Sequence, residues 1–144
     1  MTIRLIPTSC FALAALFSGC QDTASRNPAE QIEHPTVIAY YFHRTVRCTT
    51  CLAIEANARR VIDEDFSQQV AEGRLIWIPY NLDEPDGKGI QEEFGVFGST
   101  LVLSRVDGGN NTEYKKLEKV WDFIGDSVKF DNYVRTEVQQ FLNE

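Results

Sequence analysis

Thr36-Val37-Ile38-Ala39-Tyr40-Tyr41-Phe42 is a run of β-branched and aromatic residues without a single charge. A strand with one solvated face alternates apolar and polar side chains. A strand that is apolar throughout needs cover on both faces, and so belongs in the middle of a sheet between two further layers. Whatever this chain folds into must therefore place helices on both sides of that strand. His43 to Arg47 then makes a short polar connection to Cys48-Thr49-Thr50-Cys51, where a helical pattern opens.

The following segments fill in those layers. Ile54, Ala58, Val61, Ile62, Phe66 and Val70 recur at helical spacing, with Glu55, Arg59, Arg60, Asp63 and Glu64 mainly elsewhere around the helix. Gly73 is placed to cap a helix of about twenty residues, long enough for a crossover between parallel strands. Leu75 to Tyr80 is a second apolar run, with Pro79 late in it, where a missing donor does least harm. Asp83-Glu84-Pro85-Asp86-Gly87 forms a turn, and Ile90 and Phe94 mark a short helix ended by Gly95. Thr100 to Ser104 is a third strand, and Asp107-Gly108-Gly109-Asn110-Asn111 turns it into a more polar fourth, Thr112 to Leu117, nearer an edge. Val120, Phe123 and Ile124 precede a break at Gly125. A last helix follows, capped by Asp126 or Ser127, with Val128, Tyr133, Val134, Val138, Phe141 and Leu142 as its apolar positions. Trp77 and Trp121 read as core. The expected fold class is α/β, a three-layer sandwich of βαβαββα order around a mixed sheet, with parallel strands joined by crossovers and closed by one hairpin.

The amino terminus reads as a separate unit. Arg4 and the apolar stretch Phe11–Phe17 have signal-peptide proportions and are too short for a permanent membrane span. Leu16-Phe17-Ser18-Gly19-Cys20 resembles the bacterial lipobox, with Phe17 where Leu is usual. That resemblance implies a signal peptide over 1–19, lipidation of Cys20, and a protein exported as a membrane lipoprotein facing the periplasm or cell exterior. Residues 20–35 are polar, carry Pro28 and Pro35, and read as a tether reaching roughly 20 Å. The domain is expected over 36–144. In such a compartment disulfides are permitted. Cys10 and Cys20 are then accounted for, which leaves Cys48 and Cys51 with no third thiol as a structural partner. The formal net charge of −7, without a basic stripe, argues against nucleic acid as a partner.

Two thiols three residues apart at a helix start support disulfide exchange. Unpaired N–H groups and the helix dipole lower the Cys48 thiol pKa, and Cys51, one turn in, is the shielded resolving thiol. Arg44, Arg47 and His43 are candidates for tuning the dithiol, His43 also for simply ending the strand with local hydrogen bonds. The alternative chemistry is soft-metal binding, Cu(I) above all, by the same two thiolates of Cys48 and Cys51. Zinc would need a fuller ligand set, and covalent haem attachment would need His where Leu52 stands. No cofactor beyond a Cys48–Cys51 redox disulfide is expected. Asp83, Glu84 and Asp86 read as turn residues rather than a cation site.

Taken together, Val37 to Leu142 resembles the thioredoxin-like proteins. More narrowly, Tyr40-Tyr41-Phe42-His43, Arg47-Cys48-Thr49-Thr50-Cys51, Ile54-Glu55-Ala56 and Asn81-Leu82-Asp83-Glu84-Pro85 resemble the ArsF-type family of nitrophenyl-compound nitroreductase subunits. The resemblance implies a dithiol that exchanges with a protein thiol or disulfide partner, and the accessory redox subunit of a reductase is one form this could take. It also implies that Gly98-Ser99-Thr100 faces the dithiol and contributes to substrate docking. Thioredoxins carry a cis-proline in that loop, and none is present here; a cis bond before Ser99 would cost about 3–4 kcal/mol, so a trans bond is expected. The buried carboxylate that thioredoxins hold beneath the dithiol is also missing from the Val37–Phe42 strand.

Overall fold

The computed structural model describes residues 36–143; the signal, lipobox and tether readings, Cys20 included, lie outside the described residues. Four strands and five helices follow in the order β1 (Thr36–His43), α1 (Thr49–Asp65), α2 (Ser67–Ala71), β2 (Leu75–Asn81), α3 (Gly87–Phe94), β3 (Thr100–Asp107), β4 (Asn110–Lys116), α4 (Val120–Phe123) and α5 (Ser127–Asn143). They form one sheet of order β2–β1–β3–β4. Every residue of β1 is buried. Val37, Ala39 and Tyr41 pack with Ile54, Ala58, Val61 and Ile62 of α1 and with Phe130, Val134 and Val138 of α5. Ile38, Tyr40 and Phe42 point the other way, toward Phe94 of α3, Leu82 and Val96. The chargeless strand is thus the shared floor of two cores, and the fold is a thioredoxin-like three-layer α/β sandwich.

The strands are not all parallel. β2 runs parallel to β1, whereas β3 runs antiparallel, with Thr100 opposite Phe42 and Val106 opposite Thr36. Gly95 ends α3 in the left-handed region at φ 58°, and the chain then enters β3 at the end of the sheet where β2 left it.

The long first helix divides in two. Phe66, buried in the core, adopts φ −126° and interrupts the helix between Asp65 and Ser67. Gly73 caps the second piece: at φ 70° it donates to Val70 C=O while Arg74 N–H donates to Gln69 C=O, a Schellman closure. In β2 the groups that bond β1 lie on even-numbered residues, since Arg74 C=O accepts from Val37 and Leu82 N–H donates to His43 C=O. Pro79 therefore turns its nitrogen to the open edge, where no donor is needed. The Gly108-Gly109 turn, both residues at positive φ, joins β3 to the edge strand β4.

Two apolar positions differ from expectation. In α5, Val128 is 68% exposed, and Phe130 takes its place in a buried row with Val134, Val138 and Phe141. Trp121 is 42% exposed and lines an open cleft instead of filling the core. Trp77 does pack on the core, stacked on Tyr41 with ring centroids 6.2 Å apart. Asp126 caps α5 by accepting from Lys129 N–H. Among the described residues, no helix is long and apolar enough to cross a membrane.

Candidate functional site: the Cys48–Cys51 dithiol

β1 delivers the chain to the end of the sheet at His43, and α1 starts six residues later. Cys48 is the N-cap of α1. Its backbone is extended (φ −80°, ψ 161°), and its sulfur accepts the Cys51 N–H at 3.1 Å, the bond a serine or aspartate oxygen makes in an ordinary cap. Cys48 C=O accepts the first helical bond, from Leu52 N–H. Cys48 and Cys51 are joined by a disulfide, with Cα atoms 5.1 Å apart. Cys48 is exposed and Cys51 half-buried. The outer sulfur is thus reachable by a partner and is also the one aimed at by a helix N–H. When reduced, a Cys48 thiolate would gain a charge-assisted bond from that donor.

Beneath the dithiol lies Tyr41, whose hydroxyl donates to Cys51 C=O at 2.6 Å. Tyr41 thus joins the central strand to the start of the dithiol helix, and Ser99, just before β3, acts electrostatically on the same phenol. Burial pushes the Tyr41 phenol pKa up; Ser99 opposes this, Glu55 adds to it, and Arg47 opposes it. Ser99 is preceded by a trans bond, there being no cis peptide among the described residues. Thr100 opens β3 opposite Phe42 and donates its hydroxyl to Gly98 C=O. Gly98, Ser99 and Thr100 are all half-buried.

The α1 helix also carries a carboxylate close to the cysteines in sequence. Glu55 lies four residues after Cys51 and seven after Cys48, on the same face of the helix. It pairs with Arg47, which folds back along α1, and the two side chains keep only 21% and 25% of their exposure. Arg47 also donates to His43 Nε2 at 2.9 Å. A guanidinium can only donate, so Nε2 accepts and the ring proton sits on Nδ1, which donates to Arg44 C=O at 3.0 Å. His43 thus ends its strand with local bonds and anchors Arg47.

Arg44 does different work. Its guanidinium bonds the Asp83 carboxylate at 2.7 Å and Phe97 C=O at 3.2 and 3.3 Å. The second Asp83 oxygen accepts Thr45 N–H at 2.8 Å. These bonds hold the Asp83 carboxyl below the usual carboxylate range, the Thr45 backbone contributing most and Arg44 next. Arg44 joins the loop before the dithiol, the turn after β2 and the loop before β3. Asp83, a turn residue by sequence, is the hub of this clamp.

Three signals were missed in the sequence. Glu55 was visible as a helical position counted from Cys51. The Arg47–Glu55 spacing of eight residues disguised the pair, because Arg47 lies outside the helix. Arg44–Asp83, 39 residues apart, left no local trace. No group of three or more His, Cys, Asp or Glu able to hold a metal occurs among the described residues, so a metal there would rest on Cys48 and Cys51 alone.

No protein-family model and no curated protein matches this chain. Among solved structures, it is similar to the solution structure of a thioredoxin from Thermus thermophilus, at 18% identity and TM-score 0.32, over 66% of this chain and 76% of that one. The fold class stands on the strand order and on the layers either side of β1.

Proposed function

We propose that this protein is an exported, membrane-tethered thiol–disulfide oxidoreductase or electron-transfer protein. The observation that carries the reading is the disulfide at the start of α1, with an exposed outer sulfur aligned on the Cys51 N–H. In the reducing direction, the Cys48 thiolate attacks a partner disulfide, forms a mixed disulfide and releases one partner thiolate, which takes up a proton. Cys51 then loses its proton and attacks the Cys48 sulfur. The Cys48–Cys51 disulfide forms and the second partner thiol leaves; two electrons have passed to the partner. The opposite direction runs through the same intermediates.

Export and tethering rest on the lipobox-like residues ending at Cys20, and the lipid there would be the contact with the membrane. Val46 (90% exposed), Leu52 (50%) and Phe97 (78%) provide apolar surface on the dithiol loop, on α1 and on the facing loop. Beside Phe97 an open cleft of about 380 Å³ continues to Thr100, Leu117 and Trp121. This surface suits a polypeptide partner presenting a cysteine among apolar residues, and an ArsF-type accessory role toward a reductase falls within the same reading.

The test is to trap the intermediate. Cys51→Ser, expressed with its leader and recovered from the envelope fraction, is expected to carry a protein bound through Cys48 and released by reductant. A variant that captures nothing, or captures equally when Cys48 is also replaced, overturns the reading.

A further inference from the structure

Arg47 directly precedes the attacking cysteine, and an unpaired cation there would stabilise a thiolate strongly. The side chain is instead turned back along α1 to Glu55, two helical turns in, with neutral His43 as its second acceptor. Both charges act on the Tyr41 phenol, whose hydroxyl bonds Cys51 C=O. The ion pair thus joins the residue before Cys48 to the second turn of α1, with both side chains three-quarters or more buried. In such a place solvent screens the two charges less than at a surface.

We propose that Glu55 is a positioning residue that acts on the dithiol through Arg47: it holds the guanidinium back and cancels its charge, keeping the Cys48–Cys51 couple less oxidising than the arginine alone would make it. The inference rests on the redox reading of the site. Reduction adds two electrons to the disulfide, leaving a thiolate on Cys48 and a protonated thiol on Cys51. Any net positive charge near the pair favours that product and raises the potential.

The test is the equilibrium of the purified full chain with glutathione, together with the pH dependence of Cys48 alkylation. Glu55→Gln keeps the shape and removes the charge. It is expected to shift the equilibrium toward the dithiol by about tenfold, or about 30 mV, and to lower the Cys48 thiol pKa. Arg47→Met is expected to shift both quantities the other way, and the double variant to return near wild type. Glu55→Asp, which keeps the charge, stays near wild type and serves if Arg47→Met does not fold. A merely structural ion pair would lower the melting temperature of Glu55→Gln without moving potential or thiol pKa, and that result overturns the inference. So does a shift of the same sign in both single variants. Failure of this test alongside successful Cys51→Ser trapping removes the role of Glu55 and leaves the oxidoreductase reading standing.

Discussion

The Tyr41 hydroxyl, carried on the central strand, donates to the backbone carbonyl of Cys51 at 2.6 Å. One buried side chain thus registers the start of the dithiol helix against the central strand. Tyr41→Phe keeps the ring stacked on Trp77 and removes that bond. The expected cost is about 1–3 kcal/mol in denaturant unfolding, with faster amide exchange in the first turns of α1. Unchanged exchange there would show that Tyr41 does not hold the helix start.

Cys48 acts as a helix cap as well as a thiol. In the reduced protein, Cys48→Ser is expected to stay within a few tenths of a kcal/mol of wild type, because the hydroxyl can accept the Cys51 N–H. Cys48→Ala should lose about 1 kcal/mol. Comparing the two by urea denaturation under reductant separates capping from disulfide formation. Equal stabilities would mean that the sulfur contributes nothing as an acceptor.

Arg44→Ala should open the clamp on Asp83 and Phe97 while leaving the core intact. Hydrogen exchange is expected to rise at Thr45 and through residues 97–99, with little change at Ile54 or Leu103. Asp83→Asn should reproduce the effect at Thr45. Protection that survives both substitutions would place the stability of this loop elsewhere.

Gly87 approaches Leu82 so closely that an added Cβ would lie 2.2 Å from the Leu82 carbonyl oxygen. Gly87→Ala must therefore displace α3 from the turn after β2, at an expected cost on the order of 2 kcal/mol or more. Gly89→Ala, where the Cβ meets nothing within 4 Å, is the control and should be neutral or slightly stabilising. Thermal unfolding of the pair distinguishes a contact effect from a general effect of glycine on the helix.

Stability should fall on the alkaline side. Burial, and then Glu93, push the Tyr40 phenol up to about 12, and burial with Glu137 pushes Tyr133 to about 12. The folded chain therefore holds protons that the unfolded chain releases above about pH 10. That stabilisation is whole below pH 10 and is lost as pH rises toward 12. For fully buried Tyr40 the share is on the order of 2–3 kcal/mol. Tyr40→Phe should flatten the alkaline limb by that amount; an unchanged limb would assign it to other groups.

The sequence made the layers legible because Thr36 to Phe42 carries no charge, and a strand of that kind admits few surroundings. The dithiol and its helix were legible for a local reason, the spacing of two cysteines and an apolar row beginning at Ile54. Strand direction was less so: the connection through α3 returns the chain to the sheet end it left, and no local pattern marks that. Within the site, Arg47, His43 and Ser99 were identified as single residues, but what they touch was not. Glu55 meets Arg47 across the helix start, and Asp83 meets Arg44 across the sheet end. Such contacts are set by the fold, and the local sequence carries no signal of them. The division of Val128 and Phe130 likewise depended on the helix phase fixed by the sheet beneath.

The assignment of Cys48 as the attacking thiol is tested most directly by alkylating the reduced protein across pH and locating the label by mass spectrometry. Cys48 is expected to react first, with an apparent pKa below the ordinary thiol value of about 8.5, while Cys51 stays largely protected. Equal labelling of the two, or faster reaction at Cys51, would contradict the account.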